Sequence, residues 1–214
     1  MTGTSMPNRG FVQYGCGLSC PSGWVNYDCS PQLRLERLPV FGRFFSGGPH
    51  GRFPEGVLYG DIVTGLPRPA GSAELLYCSH VLEHLTLDDL RKSLRNSHRL
   101  LATGGVFRIV LPDLEQLIHS YQQSTADDRG VTFIRDSLMG MTSRPRGGMA
   151  LIRHAFGNSH HLWLWDYSGL AKELSEAGFL GIRRAEYNDS GIEGFSEVES
   201  EDRWRNALGI QCTA

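Results

Sequence analysis

The 214-residue sequence has no apolar run approaching the roughly 20 residues that cross a bilayer. It has almost no lysine: Lys92 and Lys172 are the only two, and arginine carries the rest of the positive charge. There is no basic excess either. The formal net charge is −2, whereas duplex-binding domains carry a positive surplus. Neither a membrane nor a nucleic acid is therefore expected as a partner. Met1–Gly10 is polar and lacks the apolar core of an export signal. It is read as a disordered N-terminus of a cytoplasmic protein. Cysteine is sparse and odd in number, with Cys16, Cys20, Cys29, Cys78 and Cys212, which suits reduced thiols. The C-x3-C-x8-C spacing of the first three fits no common zinc pattern, and no metal site is expected. Internal repeats and low-complexity blocks are also absent.

What is present is an ordinary globular composition. Hydrophobic residues make up 40%, close to the average for folded domains, and a chain this long can bury roughly 70% of its unfolded surface. Short apolar runs without polar alternation recur at Phe11–Tyr14, Trp24–Tyr27, Val57–Tyr59, Leu75–Cys78 and Val106–Leu111. Such runs suit strands buried on both faces of a parallel sheet. Between them lie helical patterns. Thr86 can cap a helix whose first turn holds Asp88 and Asp89 and whose apolar stripe is Leu87, Leu90, Leu94 and Leu101, with Gly104-Gly105 as its stop. Its Arg91, Arg95 and Arg99 are read as a solvated face. Further helices are expected over Leu114–Tyr121 and over Tyr167–Ala177, the latter capped by Asp166 and ended by Gly178. Strands alternating with helices give an α/β fold. Residues 30–56 are rich in proline but carry Phe41, Phe44, Phe45 and Phe53, which argues for an ordered loop with short helical turns. Residues 122–162 fit no regular pattern and follow a strand, where an insertion overhangs the ligand crevice of an open sheet. They are read as a substrate lid.

The residues with chemistry all sit just after a strand: Gly15-Cys16-Gly17, Asp28, Asp61 and Ser79-His80. In an open parallel sheet these positions converge on one crevice. Glycines at the first turn let a ligand approach the backbone, and a carboxylate ending the next strand can accept hydrogen bonds from ribose hydroxyls. The dinucleotide fingerprint G-x-G-x-x-G fails, because its third glycine is Cys20. Only ten residues separate Gly17 from Asp28, too few for a second strand and a full helix. Pyrophosphate cofactors are held at that helix's N-terminus. A nicotinamide-dependent oxidoreductase is accordingly disfavoured, and a nucleoside ligand without phosphate, such as S-adenosylmethionine, is preferred.

Val12-Gln13-Tyr14-Gly15-Cys16-Gly17 followed by Gly23-Trp24-Val25-Asn26-Tyr27-Asp28 resembles the start of class I S-adenosylmethionine-dependent methyltransferases, type 11-like, with a shortened first helix. Ser79-His80-Val81-Leu82-Glu83-His84-Leu85, Leu100-Leu101 with Gly104-Gly105, and Ile109-Val110-Leu111-Pro112-Asp113 continue the resemblance in order. His161-Leu162-Trp163, Ala177-Gly178-Phe179 and Arg203 extend it, so that it covers residues 11–214. It implies a Rossmann-like three-layer sandwich: a seven-stranded, mostly parallel sheet with an antiparallel last strand, in one domain carrying the lid at about 122–162. Ile182–Tyr187 and Ala207–Cys212 are the candidates for the last two strands.

The resemblance further implies cofactor contacts by Tyr14, Gly15, Cys16, Gly17, Asp28, Cys29, Asp61, Ile62, Ser79 and His80. Asp28 would hold the ribose, and Asp61 would accept from the adenine amine. Three departures stand out: Gln13 replaces an acidic residue, Leu18-Ser19 replaces a third glycine, and the Asn/Asp-Pro-Pro-aromatic motif of amino-group methylation is missing. The acceptor is expected to be a small molecule. A general base, where the acceptor needs one, is sought at His80, His154 and His161, with His160 beside them, because imidazole titrates near neutrality. Glu83-His84 is read as a helix-start packing or capping pair. The alternative to an enzyme is a non-catalytic cofactor-binding or structural protein of the same fold.

Overall fold

The computed structural model describes residues 10–39, 51–141 and 160–214. Seven strands form one sheet in the order β3-β2-β1-β4-β5-β7-β6: β1 Phe11–Tyr14, β2 Val25–Asp28, β3 Val57–Tyr59, β4 Ala73–Ser79, β5 Leu101–Pro112, β6 Leu180–Ala185 and β7 Ala207–Thr213. The first five pair in parallel, and β7 runs antiparallel to both β5 and β6. This is the α/β, mostly parallel sheet expected from the buried apolar runs, and its C-terminal strand ends place Gly15, Asp28, Gly60-Asp61 and His80 along one edge.

One face of the sheet packs on α2, Leu87–Leu100, and α5, Tyr167–Glu176. Val12, Tyr14, Leu76, Cys78, Phe107 and Ile109 meet Leu90, Leu94, Leu170 and Leu174 in a single core. Each fully buried leucine of this kind stabilises the fold by about 1.5–3 kcal/mol. The caps form as the sequence suggests: the Thr86 hydroxyl accepts from Asp89 N at 3.3 Å, and the Asp166 carboxylate accepts from Gly169 N at 2.7 Å. Among the described residues, short elements cover the other face. Trp24, Phe195 and Trp204, from the β1–β2 connection, the 3-10 turn Glu193–Glu197 and the helix α6, Glu201–Trp204, pack on Leu75, Tyr77 and Val110.

Two boundaries differ from expectation. The helix α2 stops at Leu100 rather than at Gly104-Gly105, because Leu101 opens β5 and pairs with Ala73. Gly104 and Gly105 lie within β5, bonded to Ala214 at the end of the chain. In the irregular segments, residues 31–36 form the short helix α1, Pro31–Glu36. Beyond β5 come α3, Leu114–Gln123, capped by Asp113, and α4, Arg129–Asp136, within the expected lid. The remaining lid residues 142–159, with His154, lie outside the described residues.

Candidate active site

The turn after β1 is built from two glycines in left-handed conformation, Gly15 at φ 63° and Gly17 at φ 55°. A Cβ on Gly15 would lie 2.2 Å from Val81 Cγ2, so glycine is required there by both backbone and packing. Asp28 is buried at the end of β2, and both of its carboxylate oxygens accept backbone N–H groups: Oδ2 from Gly17 at 3.0 Å and Oδ1 from Ser30 at 2.7 Å. The carboxylate thereby stitches the glycine turn to the start of α1. Each oxygen keeps a lone pair for a ligand. Asp61 accepts from Val63 N at 2.9 Å, and the turn it forms is fixed from α2 by Asn96, whose amide donates to the carbonyls of Ile62 and Val63.

These groups border a cleft of about 270 Å³ lined by Gly15, Asp28, Cys29, Asp61, Ile62 and His80, together with Phe53, Val81, His84 and Leu85. Six of the ten expected cofactor residues thus share one cavity. Gly17 stands beside it, with open space where its side chain would be. The Cys29 thiol is pushed up to about 11 by desolvation and by the Asp28 and Asp61 carboxylates, so it stays protonated and presents a neutral wall.

The side chains of Tyr14 and Cys16 point away. The Tyr14 ring is buried on the α2 face, with its hydroxyl at 3.3 Å from Ser97 Oγ, and Cys16 packs with Leu33 and Val57. Strand alternation sends Tyr14 into the core, and the left-handed Gly15 that follows it turns the chain before Cys16. Ser79 borders a further, smaller cavity with Tyr14, Cys16 and Arg203, and Gly15 lines both that cavity and the cleft.

His80 occupies a left-handed conformation at φ 55°, uncommon for a residue with a side chain. Its Nε2 lies 3.0 Å from the Arg203 carbonyl and its Nδ1 3.3 Å from Glu83 Oε1. Burial draws the imidazolium pKa down, but Glu83 and the Arg203 carbonyl outweigh it and hold the value above the ordinary one. His80 also lines a second cavity of about 330 Å³ between α3, α4 and the start of β7, bordered by Tyr121, Phe133, Arg129, Asp136 and Arg205. None of these last five was singled out as a site residue in the sequence, although Arg129, Phe133 and Asp136 fall in the segment expected as the lid. The Tyr121 and Phe133 rings join the two helices at 5.7 Å.

His161 lines neither cavity. It is buried, its Nδ1 is bound to the Ser137 carbonyl at 2.9 Å, and its Nε2 faces Glu83. Burial holds its pKa below the ordinary value. This placement takes it out of reach of the second cavity as a base, because the backbone N–H groups of Leu162 and Trp163 bond the Glu83 carbonyl and draw the segment under the cleft.

Residues 51–109 match a family model described as a methyltransferase domain. No curated protein matches the chain. Among solved structures, a Haloferax volcanii methyltransferase in complex with the Trm112 methyltransferase activator is similar at 16% identity and TM-score 0.49, over 98% of this chain and 85% of that one. A Mesorhizobium loti S-adenosylmethionine-dependent methyltransferase is similar at 17% identity and TM-score 0.49, over 97% and 93%. An Archaeoglobus fulgidus S-adenosylmethionine-dependent methyltransferase is similar at 14% identity and TM-score 0.48, over 98% and 87%. The family match runs from just before β3 into β5. No helix among the described residues is long and apolar enough to cross a membrane.

Proposed function

We propose that the chain transfers the methyl group of S-adenosylmethionine to a small-molecule acceptor. The observation that carries this reading is the pair of cavities sharing His80: a cleft edged by Gly15, Asp28 and Asp61 on one side, and the α3–α4 cavity on the other. In this reading Asp28 accepts from the ribose hydroxyls with the lone pairs that Gly17 and Ser30 leave over, and Asp61 accepts from the adenine amine. Gly15 leaves room for the methionine end. The acceptor occupies the second cavity, whose volume is at the small end of small-molecule sites. Arg129 and Arg205 against one carboxylate, Asp136, favour an acceptor with an anionic or hydrogen-bond-accepting substituent. The lid role proposed for residues 122–162 rests on α4, which forms one wall of that cavity. The five free cysteines suit a cytoplasmic setting.

The transfer breaks the bond from sulfonium sulfur to methyl carbon and forms one from the acceptor atom to that carbon. The sulfur takes the electron pair and leaves as a neutral thioether, and a protonated acceptor gives up its proton. With the leaving group built into the cofactor, the protein's contribution is mainly alignment of the two reactants. Two measurements test the reading. Calorimetric titration should show binding of S-adenosylmethionine and S-adenosylhomocysteine, and no heat with either alongside tight binding of NAD would overturn it. A methyl-donor turnover assay then separates an enzyme from a binding protein of the same fold.

A further inference from the structure

We infer a binding site for a divalent transition-metal ion, made by Glu83, His84 and His161 beneath the cofactor cleft. The sequence led to no expected metal site, because its cysteine spacing fits no common zinc pattern. Folding creates the cluster from residues 77 positions apart: one ligand atom of each of the three lies within 4.8 Å of the others.

The hydrogen bonding of the cluster leaves it short of donors. Glu83 is completely buried, and among the described residues its Oε1 has only His80 Nδ1, at a long 3.3 Å, while its Oε2 has no hydrogen-bond partner. His84 Nδ1 sits 3.0 Å from the His160 carbonyl, and His161 Nδ1 sits 2.9 Å from the Ser137 carbonyl. A carbonyl can only accept, so both Nδ1 atoms carry the hydrogen and both Nε2 atoms present a lone pair in the neutral ring. Those two Nε2 atoms point at Glu83 Oε1, each at 3.9 Å. Three acceptors therefore face one another across a gap too wide for an N–H···O bond, which needs about 2.7–3.2 Å. A shared cation resolves this. Tetrahedral bonds of about 2.0–2.1 Å to a zinc-like ion separate two ligand atoms by about 3.4 Å, so closing the set would draw each Nε2 about 0.5 Å nearer Glu83 Oε1 and the most separated pair together by up to about 1.4 Å.

The surroundings match how imidazole ligands are held. Each ligating ring would donate its remote N–H to a backbone carbonyl, the arrangement that fixes tautomer and orientation in metal sites. His80 lies just outside the set, with its Nε2 on the Arg203 carbonyl and its Nδ1 3.3 Å from Glu83 Oε1. Two imidazoles and one carboxylate suit zinc, iron or manganese more than calcium or magnesium. Three protein ligands leave a further position, and His84 also lines the cleft. The ion would also pin the segment carrying His161 to the turn after β4, where Leu162 N and Trp163 N already bond the Glu83 carbonyl at 2.7 and 3.1 Å.

The test is metal binding by the full chain after chelation and dialysis, read without any activity assay. Zn²⁺ loading is followed by elemental analysis and Co²⁺ titration by its visible absorption. His119→Gln, which alters an exposed histidine on α3, serves as the control. One ion per chain is expected for the wild type and for His119→Gln, with affinity about 100-fold or more weaker in Glu83→Gln and in His161→Gln, at or beyond the upper end of the 10–100-fold seen for outer-shell changes. Circular dichroism checks that each variant folds. Should the buried positions not tolerate change, His84→Gln, at a partly exposed side chain, decides alone. Absence of Zn²⁺ and Co²⁺ binding by the wild type, or equal binding by the wild type and a folded ligand variant, overturns the site.

Discussion

Replacing Asp28 by alanine separates two roles of one carboxylate. Toward the cofactor, Asp28 is proposed to accept from the ribose, and hydrogen bonds to a charged group contribute about 1.5–3 kcal/mol each. Loss of two such bonds corresponds to at least about a hundredfold weaker binding, at 1.4 kcal/mol per factor of ten. Toward the protein, its two oxygens hold the N–H groups of Gly17 and Ser30 at 3.0 and 2.7 Å. Asp28→Ala therefore also loosens the unliganded protein. Two bonds at about 1 kcal/mol each predict a fall of roughly 4–8 °C in melting temperature for a domain of this size. Calorimetry with S-adenosylhomocysteine reads the first effect, and thermal unfolding without ligand reads the second. Affinity within threefold of the wild type would refute the ribose assignment. An unchanged melting temperature would refute the bracing of the glycine turn.

Other consequences can be measured separately. Gly15→Ala should be worse than Gly17→Ala in both melting temperature and S-adenosylhomocysteine affinity: both incur the left-handed cost of about 1–2 kcal/mol, but only at Gly15 does the new Cβ strike Val81, at 2.2 Å. Equal losses would show that Val81 yields freely. Arg108→Met should cost about 3–5 kcal/mol, the range for stranding one partner of a buried ion pair, because the fully buried Arg108 bonds Glu199 at 2.6 Å and Glu199 is only 1% exposed. Chemical denaturation measures that loss, and Arg108→Met with Glu199→Gln should recover part of it. Burial alone would raise the Asp189 carboxyl, but Arg183 and Arg108 outweigh it and hold it at about 2. Its folded value thus lies below the ordinary 3.9 or so, and its contribution, complete above about pH 4, should fade as pH drops toward 2. Asp189→Asn should flatten that part of an acid-unfolding profile.

The strands were legible because both of their faces are buried, which leaves unbroken apolar runs such as Leu75–Cys78. The crevice was legible because parallel strands deliver their C-terminal ends to one side, so Gly15, Asp28, Asp61 and His80 had to converge. Boundaries were read less well where one element runs into the next. Leu101 continues the apolar stripe of α2 yet belongs to β5, because pairing with Ala73 overrides helix periodicity. Tyr14 and Cys16 adjoin the glycine turn in sequence, but Tyr14 follows the strand alternation into the core and Cys16 packs with Leu33 and Val57. The Glu83, His84 and His161 cluster had no local pattern to betray it. It depends on backbone bonds from Leu162 and Trp163 to Glu83, contacts spanning nearly 80 residues.

The short connection between β1 and β2 shapes more than the ligand. It removes a helix that would cover one face of the sheet, and the chain fills that face with rings from short elements. Trp24, inside the connection itself, packs 5.8 Å from Phe195 and donates its indole N–H to the Gly194 carbonyl at 3.1 Å. Further along the same face, Arg108 lies beneath Trp204 at 4.9 Å and is satisfied by Glu199, Asp189, Gln211 and the Glu186 carbonyl. A fully buried arginine is tolerable only when it is paired and hydrogen-bonded in this way. Its partners come from β7 and from the loop between β6 and α6, so the guanidinium anchors that loop, which runs on to Arg203 at the small cavity beside Ser79 and to Arg205 at the α3–α4 cavity. The ten residues between Gly17 and Asp28 thus argue against a pyrophosphate ligand, and the thin cover they leave places a charged anchor directly behind the loop that borders the proposed acceptor cavity.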